Sequence, residues 1–295
     1  PVFPIGTDLN DNPLAILMGK PWFEREVLLL SKYAVLDDSL GLDDAPDFLS
    51  IGLSAMDWII HSYGPFSQEA MDACIKLDTY LGDFIEFLDD HVGLENVLFA
   101  LTADHGGLPL PEYLLAKGQK AGRINNDHFE EALTWIDEEF EEKFGKNLYH
   151  REGGNFFLNK EKIIESNIQM EKIYKIISKY LIKVEGIERI AIKEDILNGK
   201  DTTTINNRLG NMIHPDLTPE IFPIISPNYL FRGPFGTSHG SPYNYDTHVP
   251  MIFARKGFRA KKKSQPYATT DIAPTIAKYL NVDIPKYCDG KGFDL

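Results

Sequence analysis

What this chain has little of narrows its reading first. Cys74 and Cys288 are its only cysteines, too few for a disulfide framework and silent about redox compartment. No apolar run approaches the ~20 residues that a membrane-spanning helix needs. Basic residues are in deficit: 30 Lys and Arg against 44 Asp and Glu leave a formal net charge of -14. That argues against a nucleic-acid duplex as partner, because a phosphate backbone has to be met by a basic face. A small phosphorylated substrate stays open, since a bound cation reverses the local sign. Internal repeats and low-complexity tracts are absent. The chain opens on Pro1 with neither Met nor a signal-type segment, which leads us to expect that something upstream has been removed. Nothing in the composition indicates an oligomeric state.

What is present suffices for a large core: 295 residues, 43% of them hydrophobic and 12% aromatic. The organising stretch is VLFALTADHGG, Val97 to Gly107. Its apolar run reads as a buried strand, and its two glycines permit a sharp turn directly after Asp104 and His105. The C-terminal edge of a parallel sheet is where open α/β folds place ligands. A capping Asp beside a solvated His is the plainer alternative.

Upstream, Phe23, Val27, Leu30 and Tyr33 can share a helical face, and Phe48 to Leu53 reads as a strand leading into Asp57 and His61. Ser67 is set to cap a helix running to His91, with Met71, Cys74, Ile75, Leu81, Ile85 and Leu88 as its apolar stripe. Strand, helix, strand in this order predicts a parallel sheet. After Arg123 the texture changes. An acidic amphipathic helix over 126–144, the strand NFFLN, a Lys/Ile-rich helix over 160–181, the strand IERIAIK and the apolar run IFPIISPNYLF predict a small α/β insertion of roughly a hundred residues. GTSHGSPYNYDTHVPMIFA then sets His239 in a Gly/Ser-rich loop before a strand from Val249 to Ala254. TTDIAPTIAKYL closes the chain as a helix capped by Thr270 or Asp271.

Asp57 and His61 stand four apart, one turn along the same helical face. A borderline metal such as zinc accepts both carboxylate oxygen and imidazole nitrogen. With Asp104, His105 and His239, three loops offer five ligand-type side chains. Five exceeds one tetrahedral ion and falls one short of two three-ligand sites. The count suggests a two-metal site with a piece missing. Two ions about 3.5–4 Å apart are the usual clamp for the attacking and leaving oxygens of phosphoryl transfer.

The segments DFLSIGLSAMDWIIHSYGP, LTADHGG, GTSHGSPYNYDTHVP and TTDIAPTIAKYL, in this order, resemble the alkaline phosphatase superfamily. The likeness is to the branch of type I phosphodiesterases/nucleotide pyrophosphatases and phosphate-irrepressible alkaline phosphatases. It covers most of 20–124 and 230–295. The resemblance implies an α/β fold with a doubly wound, mostly parallel sheet. Residues 1–124 and 230–295 would form the metal-binding core, incomplete at its N-terminus, and 125–229 an inserted α/β cap. It implies two zinc ions, one held by Asp57, His61 and His239, the other partly by Asp104 and His105. That second site's remaining ligand, an aspartate on the family's first strand, and the Thr or Ser nucleophile shortly after it find no match. Thr7 and Asp8 lack the strand and helix context of that segment. The expectation is therefore the C-terminal part of a longer, exported (periplasmic or secreted) enzyme. It would hydrolyse phosphate mono- or diesters through a covalent phospho-enzyme, with this part inactive alone. The rival reading is a non-catalytic metal-binding domain. Three further residues come under consideration: His248 as lining the site, Asp246 as orienting His239 or merely capping a turn, and Arg123 as reaching a substrate phosphate or lying on the surface. His91, His128, His150 and His214 read as surface residues.

Overall fold

Helix α1 (Trp22–Asp37) buries Glu24, Leu28, Ser31 and Val35, a stripe at helical spacing. This is not the face its apolar residues suggest: Phe23 and Val27 are only half-buried, Tyr33 is exposed and Leu30 is 70% exposed. A polar residue, Glu24, lies on the inward side because it is hydrogen-bonded there, so residue type alone misorients the helix. Helix α2 (Ala55–Tyr63) follows, then α3 (Gln68–His91), which starts where expected, with Ser67 Oγ accepting from the Ala70 N–H at 3.0 Å. Its buried face is Ala70, Ala73, Phe84 and Leu88. Of the expected stripe only Leu88 is buried, and Met71 is 63% exposed. The two alanines let α3 approach Ile59 of α2 closely, with Trp22, Met56, Ile60 and Tyr63 packed around them.

Strand β1 (Phe99–Thr102) ends this run. The chain continues through α4 (Pro111–Ala116), β2 (Gly122–Arg123), α5 (Asn126–Phe144), β3 (Tyr149–Glu152), β4 (Asn155–Leu158), α6 (Lys160–Glu165), α7 (Met170–Leu181), β5 (Ile187–Ile192), α8 (Lys193–Leu197), α9 (Thr204–Met212), β6 (Ile221–Ile225), β7 (Tyr229–Leu230) and α10 (Asn244–Thr247). It closes with β8 (Met251–Ala254) and α11 (Ile272–Tyr279). The computed structural model describes residues 17–145, 147–200 and 203–295. These form two units: the described part of Pro1–Gly106 with His248–Leu295, and Gly107–Thr247. No helix among the described residues is long and apolar enough to cross a membrane.

The architecture is α/β, and its strand pairing differs from the expected parallel order. In the first unit β1 pairs antiparallel with β8, Leu101 opposite Ile252. Phe48–Leu53, expected as a strand, joins no ladder among the described residues. Ile51, Leu53 and Phe99 instead pack around the cluster of Leu28, Val35, Phe84 and Leu88. The run expected to be a buried strand leaves Ala100, Leu101 and Thr102 exposed. A two-stranded ribbon lacks the neighbours that would cover both its faces.

In the second unit β2 and β7 pair parallel, while β3, β4, β6 and β5 form a four-stranded antiparallel sheet in that order. The core there is Phe129, Leu133, Ile136 and Phe140 of α5 and Ile173, Ile177 and Leu181 of α7, with Phe156 and Ile221 of the sheet. The helix expected over 160–181 is split into α6 and α7. Asn167 adopts a left-handed φ of 52° between them, a conformation that ends a helix. On α5, Glu139 accepts hydrogen bonds from Lys143 and, from α7, Lys179 Nζ and Tyr180 OH, both at 2.7 Å. These donors, Lys143 first, hold its carboxyl down to about 2. A carboxyl depressed by folding adds stability above its ordinary value, and that stability is lost as pH falls toward about 2. The urea-unfolding difference between the protein and Glu139→Gln is therefore expected to shrink from pH 6 to pH 3. A difference that stays constant would show that these pairs add nothing.

Candidate metal centre

Asp57 lies in the first turn of α2 and His61 in its last, and His61 Nε2 sits 3.5 Å from Asp57 Oδ2. The start of α2 is held from outside. Its N-cap Ser54 makes no side-chain cap, and the Ala55 N–H donates instead to Glu24 Oε1 of α1 at 2.6 Å. Burial pushes the Glu24 carboxyl up, and the backbone N–H groups of Ala55, Met56 and Ser54 oppose that shift.

Asp104 and His105 emerge just past β1. The His105 backbone N–H donates to Asp104 Oδ1 at 3.0 Å, which folds the carboxylate back toward the imidazole. His105 Nε2 then stands 3.5 Å from Asp104 Oδ2 and 4.0 Å from Asp57 Oδ1. On the other side of the ring, His105 Nδ1 is 2.8 Å from the Gly106 carbonyl. A carbonyl can only accept, so Nδ1 donates to it, and the neutral tautomer with that proton has its lone pair at Nε2. The 3.5 and 4.0 Å separations are too long for hydrogen bonds. The 3.5 Å pairs suit a shared cation: two donors each ~2.1 Å from a tetrahedral zinc ion lie about 3.4 Å apart. His61 with Asp57 and His105 with Asp104 are two such pairs, and Asp57 turns its second oxygen toward His105. The donor set therefore fits a metal ion. Both carboxylates are reachable from solvent, the Asp104 side chain at 87% exposure.

His239 is carried by the second unit. Its loop is pinned on both sides. Thr237 Oγ1 donates to the Leu108 carbonyl at 2.7 Å and the Leu108 N–H donates to Ser238 O at 3.2 Å. Asp246, 4% exposed, accepts from Ser241 N–H at 2.8 Å and Ser241 Oγ at 2.6 Å. Asp246 thus caps the turn after His239. Its Oδ1 is buried with no hydrogen-bond partner among the described residues.

The remaining sequence candidates sort plainly. Arg123 is not free to reach a phosphate: it holds Glu112 at 2.7 and 3.0 Å and donates to the carbonyls of Gly233 and Gly236 at 2.9 and 2.8 Å. That contact keeps the Glu112 carboxyl below its ordinary range. His248 is exposed. Asp271 is structural, though it does not cap its helix by a side-chain bond. It accepts from Ala268 N–H at 2.9 Å and Lys291 N–H at 2.7 Å. Thr7 and Asp8 lie outside the described residues. Glu24 escaped the sequence reading, because an acidic residue on an otherwise amphipathic helix gives no sign that it points inward.

These donors describe a candidate metal centre without saying which chemistry it serves. A family model described as "Type I phosphodiesterase / nucleotide pyrophosphatase" matches residues 17–238, most of the chain. The chain belongs to this phosphodiesterase family. Alkaline phosphatase PafA of Elizabethkingia meningoseptica is 27% identical over 297 residues, covering 99% of this chain and 54% of its own length. Alkaline phosphatase PhoV of Synechococcus elongatus is 29% identical over 280 residues, covering 94% and 50%. The crystal structure of wild-type PafA matches with a TM-score of 0.84 at 27% identity, over 99% of this chain and 56% of that one. The α/β fold is thus of the alkaline phosphatase kind, and the chain spans about half the length of the curated relatives it matches.

Proposed function

We propose that this chain carries the two-zinc site of an enzyme that hydrolyses phosphate mono- or diesters. Asp57, His61 and His239 would hold one ion, and Asp104 and His105 would supply part of the shell of the other. The observation that carries the reading is the two Asp–His donor pairs, each 3.5 Å apart. Membership in the phosphodiesterase family supports the substrate class. When bound, zinc supplies Lewis acidity at the phosphoryl oxygens and acidifies the attacking hydroxyl and water.

The chain's own residues do the placing. Asp57 presents one oxygen to each imidazole, which ties the two donor pairs into one centre. The Gly106 carbonyl fixes the His105 tautomer. The Asp246 cap and the Thr237 contact hold the His239 loop in one conformation. In the reaction, a Thr or Ser oxygen from sequence upstream of these motifs bonds to phosphorus, and the ester oxygen leaves as the alcohol. Water then breaks the new oxygen–phosphorus bond, restoring the hydroxyl and releasing phosphate from a monoester or a phosphate monoester from a diester.

The test measures zinc content and hydrolysis of p-nitrophenyl phosphate and bis-p-nitrophenyl phosphate, on this chain and on the longest natural polypeptide containing it. We expect zinc in both and hydrolysis in the longer form, with the ratio of the two substrates deciding between mono- and diester. Zinc without hydrolysis in either form would favour a non-catalytic metal-binding domain. Absence of zinc from both would overturn the proposal.

A further inference from the structure

We infer that Glu24 is a positioning residue for the metal centre, clamping the start of the helix that carries Asp57 and His61. This rests on the two-zinc reading above. The first N–H groups of any helix lack intrahelical partners, and an uncapped first turn frays. Helix α2 has no cap from its own Ser54. The role falls to a carboxylate 31 residues earlier, whose Oε1 takes the Ala55 N–H at 2.6 Å, while its Oε2 is buried with no hydrogen-bond partner among the described residues. Glu24 is 3% exposed. Burying a carboxylate is unfavourable unless a matching charge faces it, and the positive end of a helix is such a match. Around it α1, α2 and α3 pack through Trp22, Ile59, Ala70 and Ala73, where an apolar side chain would suit the packing alone.

The consequence for the site follows from spacing. Asp57 sits in the very turn that Glu24 holds, whereas His61 sits one turn further along. If the first turn frays, Asp57 moves while His61 stays, and the 3.5 Å separation between them is lost. Glu24 acts on the centre only through the backbone at Ala55.

The experiment compares the protein with Glu24→Gln, Glu24→Ala and Asp57→Ala. Zinc affinity is read by competition with a chromophoric chelator, and amide hydrogen exchange along 55–59 is read in the metal-free state. We expect Asp57→Ala to bind far more weakly than the parent. Glu24→Ala should bind about tenfold more weakly, the scale set by losing a group that orients a ligand, with faster exchange confined to α2. Glu24→Gln retains an acceptor oxygen and should stay within about threefold of the parent. Parent-like affinity in Glu24→Ala would overturn the inference. If Glu24→Ala fails to fold, a Glu24→Gln variant that folds but binds as poorly as Asp57→Ala also overturns it, because the acceptor should rescue. Should the parent bind no zinc, the two-zinc reading fails by itself. The clamp is then judged by exchange alone: unchanged rates at 55–59 in Glu24→Ala would sink it, and faster rates confined to α2 would sustain it.

Discussion

Asp57→Ala should empty the proposed metal centre and lower phosphate-ester hydrolysis by the longest natural polypeptide by roughly 10²–10³-fold, the scale for losing one preorganised electrostatic group. The size follows from where the carboxylate sits. Its Oδ2 faces His61 at 3.5 Å and its Oδ1 faces His105 at 4.0 Å, so a single truncation disturbs both donor pairs. The fold should barely notice. Alanine is a strong helix former, Asp57 lies on a partly exposed face, and an acidic residue in a first turn adds only ~0.3–1 kcal/mol through the helix dipole. Zinc content by mass spectrometry and thermal melting of the metal-free protein separate the two effects. A variant that keeps its full zinc complement would remove Asp57 from the ligand set. One that loses zinc together with most of its metal-free stability would make Asp57 structural instead.

Phe140→Ala should strongly destabilise the second unit, costing ~3–5 kcal/mol. Phe140 is 1% exposed, in the core formed by α5, α7 and the antiparallel sheet. Its ring meets Phe144 and Tyr149 edge-on, with centroids 5.7 and 4.9 Å apart. Such pairs add ~0.5–1.5 kcal/mol each beyond simple burial. Truncation removes both pairs and leaves a cavity that the surrounding Leu133, Ile136 and Leu148 cannot fill without moving off their rotamers. Urea unfolding of the metal-free protein measures the loss. A cost below ~1.5 kcal/mol would mean that the core collapses onto the vacancy far more readily than close packing allows.

Whatever depends on near neighbours could be read from the order of residues. Ser67 lies three residues before the N–H it caps, the acidic face and apolar stripe of 126–144 repeat at helical period, and Asp57 and His61 share a face because they are four apart. The motifs around Asp57, Asp104 and His239 are likewise local strings, and they led to the superfamily whose phosphodiesterase branch the comparisons bear out. The rest depends on groups far apart in the chain. Glu24 turns inward because a helix start 31 residues away needs an acceptor. Arg123 is consumed by carbonyls 110 and 113 residues distant. β1 meets β8 antiparallel across the whole intervening unit, which leaves Leu101 exposed where its composition promised burial. Periodicity and capping act over one or two turns. The inward side of a helix, the partner of a strand and the occupancy of a guanidinium are set by groups that only the folded chain brings within reach.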